Sequence, residues 1–433
     1  MYLRGMRVVR PILLTAATLV LAWGMIYYYG GVLLPIRQAH VSRSGNSSDL
    51  YPVWLGAREL LLHHRNPYSP EVTREIQLGF YGREIDPNRN STTNPEAFAY
   101  PAYVALVIAP SVPFSFETVR IVFKGLMLLL SPVSLLLWMR ALRVRFRLSG
   151  AWVAFTAAMS SFAFVDGLYL EQTTLLVALL VAGSLAALSG GRPVVAGLLL
   201  ALASVKPQVT ILVVTFLLVW AIGAWSSRKG FAIGFGGVMG ALLIGSEVML
   251  PGWFRFWRQA AQRYVGYHNP SILAILLGRQ SAMVVGAAAV GMCGLLFWRF
   301  RKEPPGSEQF SFAVVTGLTL TVMLLPNPGG AYYNQVILIP AALWLFSSGR
   351  HFAKKGGLPR FTWLIAVNVL AWEWILALLV SFAAIVLQYK LEREATLFVG
   401  GPEILIFVFP GTLALFVLSV APQLCRTNRP TAS

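Results

Sequence analysis

Cysteine is nearly absent. Only Cys293 and Cys425 occur in 433 residues, one inside an apolar run and the other near the C-terminus, so no disulfide framework is implied. Charge is scarce as well: 12% of residues are charged, and the 17 Asp and Glu are outnumbered by 35 Lys and Arg. No Walker A sequence, dinucleotide glycine fingerprint or serine-nucleophile elbow occurs, so soluble nucleotide use finds no support. The histidines offer no His-x-x-x-His spacing. His63 and His64 are adjacent and on a helix point about 100° apart, so neither a metal site nor a cofactor is expected.

What the chain has instead is hydrophobicity, 57% of its residues. It is gathered in repeated apolar runs of about 18 residues or more, the length that crosses a bilayer. This predicts an all-α, polytopic transmembrane helical bundle, one domain over residues 1–433. Twelve spans are expected, near 11–35, 117–139, 151–166, 172–189, 193–206, 208–225, 231–250, 281–299, 310–325, 333–347, 361–387 and 402–420. The first follows a basic start, as in a signal peptide. Its run is long and lacks a small-residue cleavage site, so it reads as a retained span.

Arg4, Arg7 and Arg10 precede that span and place the N-terminus in the cytoplasm; twelve spans return the C-terminus there. The short inner segments then hold 19 of the 35 basic residues, and 14 of the 17 acids fall on or near the outer side. The net charge of +18 is thus mainly a topology signal, and no nucleic-acid partner is expected. Its physical consequence is attraction to anionic lipids of the inner leaflet. A cell inner membrane or plasma membrane is the expected location.

The segment 36–100 is long, polar and outside. Within it Leu50, Val53, Trp54, Ala57, Leu60 and Leu61 recur at helical spacing. Pro52 fits a first turn, and Asn66, Pro67 and Tyr68 end the helix. This predicts an amphipathic helix on the membrane surface, with Asp49 at its entrance. A second short helix is expected near 70–82 and a polar loop at 85–96. The apolar run 101–113, broken by Pro110 and Pro113, is too short to span and reads as re-entrant or interfacial.

Asp49 has two readings. It stands where an N-cap belongs, and a carboxylate at the membrane boundary can also take a proton from an acceptor hydroxyl. A helix N-terminus favours the ionised form, which makes a weaker base. Lys206 sits in a tight hairpin between two apolar helices, where a cation is costly unless it meets an anion such as phosphate or snorkels to the headgroups. Asp166, Glu171 and Gln172 share a short outer turn that either joins the same cavity or is simply solvated. Arg255, Arg258 and Arg263 lie in a Trp-rich outer segment, where Trp253, Trp257, Arg258 and Tyr264 make an interfacial helix that either binds phosphate or lipid headgroups or simply anchors at the interface; Asn269 and Ser271 follow. Tyr332, Tyr333 and Asn334 stand at the mouth of a later span. Glu373 lies inside a span between Trp372 and Trp374.

Four features together resemble glycosyltransferase family 87, membrane enzymes of the GT-C superfamily that include polyprenol-phosphate-mannose-dependent mannosyltransferases. They are the acid and helix Asp49, Trp54, Ala57, Leu60, Pro67 and Tyr68; the pair Tyr100 and Pro101; the series Gln172, Ala196, Gly197, Lys206, Pro207 and Gln208; and the late loop Pro328, Tyr332 and Tyr333. Three positions depart from the pattern: Glu171 replaces a Gly, Ala102 replaces a second Pro, and a Trp or His is missing near Asn334. The resemblance implies a GT-C-like bundle and a polyprenyl-phosphate sugar donor. It makes Asp49 the catalytic base, sets Lys206 against the donor phosphate and lines the same cavity with Gln172. The expected substrate-binding set is Lys206, Gln172, Glu171, Tyr68, Tyr100, Arg258, Asn269, Tyr333 and Asn334. The expected partners are membrane lipids, that donor, and a glycan or glycolipid acceptor. A single base suits an inverting displacement. The competing readings are a transporter or flippase of a lipid-linked substrate, for which Glu373 is the support, and a non-catalytic membrane partner that binds another protein through the outer helix.

Overall fold

In lipid a backbone must satisfy its own polar groups, and for apolar runs such as these the solution is the helix. The computed structural model describes residues 2–38, 46, 48–85, 96–266, 271–325, 331–386 and 400–426, and among the described residues no strand occurs. Helix α1 (Tyr2–Tyr27) continues through a π-helical turn, Tyr28–Leu33, into α2 (Leu34–Gln38). The polar segment that follows forms α3 (Leu50–His63) and α4 (Pro70–Tyr81), and α5 (Tyr103–Ile108) runs into a 3-10 turn at Ala109–Ser111. Then come α6 (Phe116–Ala141), α7 (Leu148–Ser160), α8 (Phe162–Tyr169), α9 (Thr173–Ser189), α10 (Pro193–Ala203), α11 (Pro207–Ile222) and α12 (Trp225–Met249). Two shorter helices, α13 (Trp253–Gly266) and α14 (Ile272–Leu277), precede α15 (Arg279–Phe300) and α16 (Glu308–Leu324). A 3-10 stretch, Tyr332–Leu338, leads into α17 (Ile339–Trp344), α18 (Arg350–Lys354), α19 (Gly357–Val386) and α20 (Gly401–Arg426).

Seven of these segments are long and apolar enough to cross a membrane, or eight if α7 and α8, bent by 44° at Ser161, count as one. The other expected spans are the shorter apolar helices α9, α10, α11 and α16. Helix α10 has 11 residues. At 1.5 Å per residue it rises about 16 Å, roughly half the ~30 Å hydrocarbon layer. Hydropathy along 193–206 reads as a span because Ser204, Val205 and Lys206 extend the run beyond the helix. Helix α16 is buried from Phe310 to Met323, as a helix apolar on every side must be.

Helix α3 begins and ends close to its predicted limits. Leu50, Val53, Trp54, Ala57 and Leu60 are buried and Leu61 is half-buried. Ala57 and Leu60 share a core cluster with Ala105 of α5 and Val112, so the apolar stripe faces protein. Ser69 caps α4 by accepting from the Val72 N–H, with Pro70 at its first position. Of the polar loop expected at 85–96, residues 86–95 lie outside the described residues, as does Pro328. The run 101–113 forms only the short α5 and its 3-10 turn.

Two packing features fix the bundle around the site. Helices α10 and α12 cross at Gly197 and Gly234. A Cβ on Gly197 would collide with the Phe231 carbonyl and the Phe235 amide, and one on Gly234 with the Val194 carbonyl. Small residues let two backbones approach this closely. At the opposite end from Asp49, the Arg228 guanidinium donates to the carbonyls of Trp220 (2.7 Å), Arg301 (2.6 Å), Lys302 (3.0 Å) and Glu303 (3.3 Å). These include carbonyls at the C-terminal ends of α11 and α15, which have no partner within their own helices.

Candidate active site

Asp49 occupies the N-cap position of α3, but its side chain makes no capping hydrogen bond. The Ser48 hydroxyl accepts from the Leu50 N–H instead, at 3.3 Å. The Asp49 N–H donates to the Leu170 carbonyl at 3.0 Å, which docks the start of α3 on the turn between α8 and α9. From the same turn the Gln172 side-chain amide donates to Asp49 Oδ2. Gln172 Oε1 in turn accepts from Lys206 Nζ at 2.9 Å. Only one orientation of an amide serves both neighbours, NH2 toward the carboxylate and oxygen toward the ammonium.

Lys206 lies in the break between α10 and α11 and is only 4% exposed. Its Nζ also donates to Thr174 Oγ1 at 2.6 Å and stands 4.7 Å from the centre of the Tyr333 ring. The Thr174 hydroxyl in turn donates to Asn334 Oδ1 at 3.1 Å. Tyr103 OH donates to the Ser204 carbonyl at 2.8 Å and secures the end of α10 beside the lysine. A buried cation is tolerated when it is hydrogen-bonded and near an opposite charge, and here both conditions hold.

These residues form one wall of a cavity of about 440 Å³. Asp49, Gln172 and Lys206 line it together with Tyr100, Tyr333 and Asn334. Pro52, Pro101, Pro207, Ile211 and Leu325 add apolar surface. Burial pushes the Asp49 carboxyl up to about 7, while Lys206 and the Gln172 hydrogen bond pull it down and Asp166 and Glu171 add to the rise. The helix terminus had suggested a weak, fully ionised carboxylate; desolvation outweighs it and makes Asp49 a stronger base than an ordinary aspartate. Burial pushes the Tyr100 phenol up to about 12, so it stays a neutral hydroxyl at neutral pH.

Three residues of the expected binding set stand elsewhere. Tyr68 does not line the cavity; its OH donates to the Tyr100 carbonyl at 2.7 Å and braces that residue from behind. Glu171 is fully buried away from the cavity, with Oε1 paired to Arg120 Nε at 3.0 Å and to Lys124 Nζ. Arg258 is exposed on α13 and does not reach the cavity, because the opposite face of that helix turns inward. Asn269 lies outside the described residues. Asp166, expected in the turn with Gln172, lies instead in α8, where its Oδ1 accepts from Tyr29 OH at 2.9 Å. Glu373 is buried in α19 and is not among the cavity residues.

The cavity also has walls outside the expected binding set: Gln208 and Trp257, which the sequence reading named without placing them at the site, and Glu96 and Ala261. Trp253, Trp257 and Ala261 recur every fourth residue, and this stripe marks the inward face of α13. Trp257 Nε1 donates to the Ala99 carbonyl at 3.2 Å and ties that face to the segment before α5.

No curated protein and no solved structure matches the chain. The profile of glycosyltransferase family 87 matches residues 98–326. The matched stretch contains Tyr100, Gln172 and Lys206, whereas Asp49 precedes it and Tyr333 and Asn334 follow it. The match spans more than half of the 433 residues, and with it the chain belongs to glycosyltransferase family 87.

Proposed function

We propose that this membrane glycosyltransferase moves a mannose-like sugar from a polyprenyl-phosphate donor to a glycan or lipid-linked acceptor on the extracytoplasmic side. The observation that supports this reading is the Gln172 amide, which joins the Asp49 carboxylate to the Lys206 ammonium on one cavity wall. A base and a cation in one pocket suit a displacement in which a hydroxyl attacks and a phosphate leaves.

In that reaction Asp49 takes the proton of the acceptor hydroxyl as its oxygen bonds to the anomeric carbon. The bond from that carbon to the phosphate oxygen breaks, and its electron pair departs with the lipid phosphate. Lys206 holds the charge that grows on the leaving group, so no strong general acid is needed. Attack from the face opposite the leaving group inverts the anomeric centre. Tyr100, Tyr333 and Asn334 border the bound sugar. The proposal keeps twelve passes with both termini cytoplasmic in an inner or plasma membrane, the short α10 being completed by the non-helical segment Ser204–Lys206 beside the cavity, where such backbone is tolerated within the layer. A transporter reading draws less support, since Glu373 stands apart from the cavity.

Purified protein in lipid, given a panel of polyprenyl-phosphate sugars together with glycan and glycolipid acceptors, is expected to release lipid phosphate. Asp49→Asn lowers that release by about 10³-fold, the order expected for a lost general base, and leaves thermal unfolding unchanged. Equal release by a folded Asp49→Asn protein would place the base elsewhere.

A further inference from the structure

We propose that Glu171 is a positioning residue, whose ion pairs with Arg120 and Lys124 latch the α8–α9 turn and so hold Gln172 between Asp49 and Lys206. The inference builds on the proposed roles of those three residues.

Glu171 is in the left-handed region, with φ of 53°. Residues with a Cβ rarely take that conformation, and a long side chain holds it only where the surroundings impose it. The backbone of the turn gives modest help: Glu171 N–H reaches the Leu168 carbonyl at 3.4 Å, and Gln172 N–H reaches Gly167 at 2.8 Å. The side chain supplies the rest. It is fully buried, and Oε1 meets two cations of α6, Arg120 Nε at 3.0 Å and Lys124 Nζ. Those cations are four residues apart on one helix face, so they grip the carboxylate together. Lys124 also stands 5.5 Å from the centre of the Tyr169 ring, at the near end of the same turn.

The latch is one residue from each contact that matters. On one side, the Leu170 carbonyl accepts from the Asp49 N–H; on the other, the Gln172 amide bridges Asp49 and Lys206. A glycine at 171 would take the left-handed turn without strain. It would also leave the turn unanchored to α6. Glutamate gives the turn an attachment that glycine lacks.

The test is a double-mutant cycle on lipid-phosphate release with Glu171→Gly and Gln172→Ala. Misplacing a reacting group by about 1 Å costs up to about 100-fold, so Glu171→Gly is expected to lower kcat about 10-fold and Gln172→Ala about 100-fold. The double variant is expected to fall well short of the product of the two losses, because only the Leu170 contact to the Asp49 N–H is then left for the latch to hold. Losses that multiply in the double variant overturn the proposal and leave Glu171 a role in stability only. Wild-type kcat in Glu171→Gly overturns it as well. The same variants, with Arg120→Gln/Lys124→Gln, are read by hydrogen exchange without any sugar donor. The latch predicts about tenfold faster exchange confined to residues 49–52 and 170–173, as local opening is freed. Unchanged exchange there overturns the latch whatever the transfer assay gives. A Gln172→Ala protein with full transfer would count against the proposed function, and the exchange result would then decide the latch alone.

Discussion

The two ends of this bundle use the same kinds of residue in opposite ways. At the Asp49 end, Lys206 is held by side chains, Gln172 and Thr174, and by the Tyr333 ring, all beside a cavity. At the other end, Arg228 is held by four backbone carbonyls and lies against the Trp220 ring, 4.0 Å from its centre. Carbonyls at helix termini do not move without unwinding the helix, so Arg228 is a staple. Side-chain hydroxyls and amides rotate, so Lys206 can exchange a partner for a ligand oxygen. Basic charge alone does not distinguish scaffold from site; the identity of the partner does.

Replacing each cation tests that contrast. Lys206→Met is expected to cost about 10²- to 10³-fold in kcat/KM, the loss typical of one charge-stabilising donor. A loss under threefold would erase the contrast. The pH profile comes next. In the proposed reaction Asp49 acts deprotonated, and burial holds its carboxyl near 7. The kcat/KM for transfer therefore rises about tenfold per pH unit below that value. Without the ammonium, which pulls the carboxyl down, residual activity of Lys206→Met has its acid limb at higher pH. Arg228→Gln is expected to leave transfer per folded molecule within about twofold but to lower stability by about 1–3 kcal/mol, because buried carbonyls lose their donor. Denaturant unfolding in detergent measures it. The smallest effect belongs to Arg258→Gln, on the exposed face of α13: transfer within about twofold of wild type, as surface changes usually are small.

Much of this arrangement was legible in the residues. Helical spacing from Leu50 to Leu61 located α3, and the resemblance brought Asp49, Gln172 and Lys206 to one place. Other parts depend on the third dimension. A helix wheel gives α13 two faces without saying which one turns inward, so of its residues Arg258, rather than Trp257, entered the expected binding set. Hydropathy measures composition over a window, so it did not reveal where α10 stops. The basicity of Asp49 comes from the helices packed over it. Nor does the sequence show that Glu171 adopts a left-handed backbone; only its neighbours Arg120 and Lys124, 51 and 47 positions away in the chain, make that conformation intelligible.

The crossing of α10 and α12 at Gly197 and Gly234 has a bearing on distance as well as packing. With backbone against backbone there, α10 has no room to slide along its neighbour. Lys206 stands three residues past the end of α10 and therefore at a set level relative to the long helix α12. The bundle works as a gauge: for the proposed reaction it fixes the plane where the donor's anionic group must sit, so substrates must rise or sink to meet it.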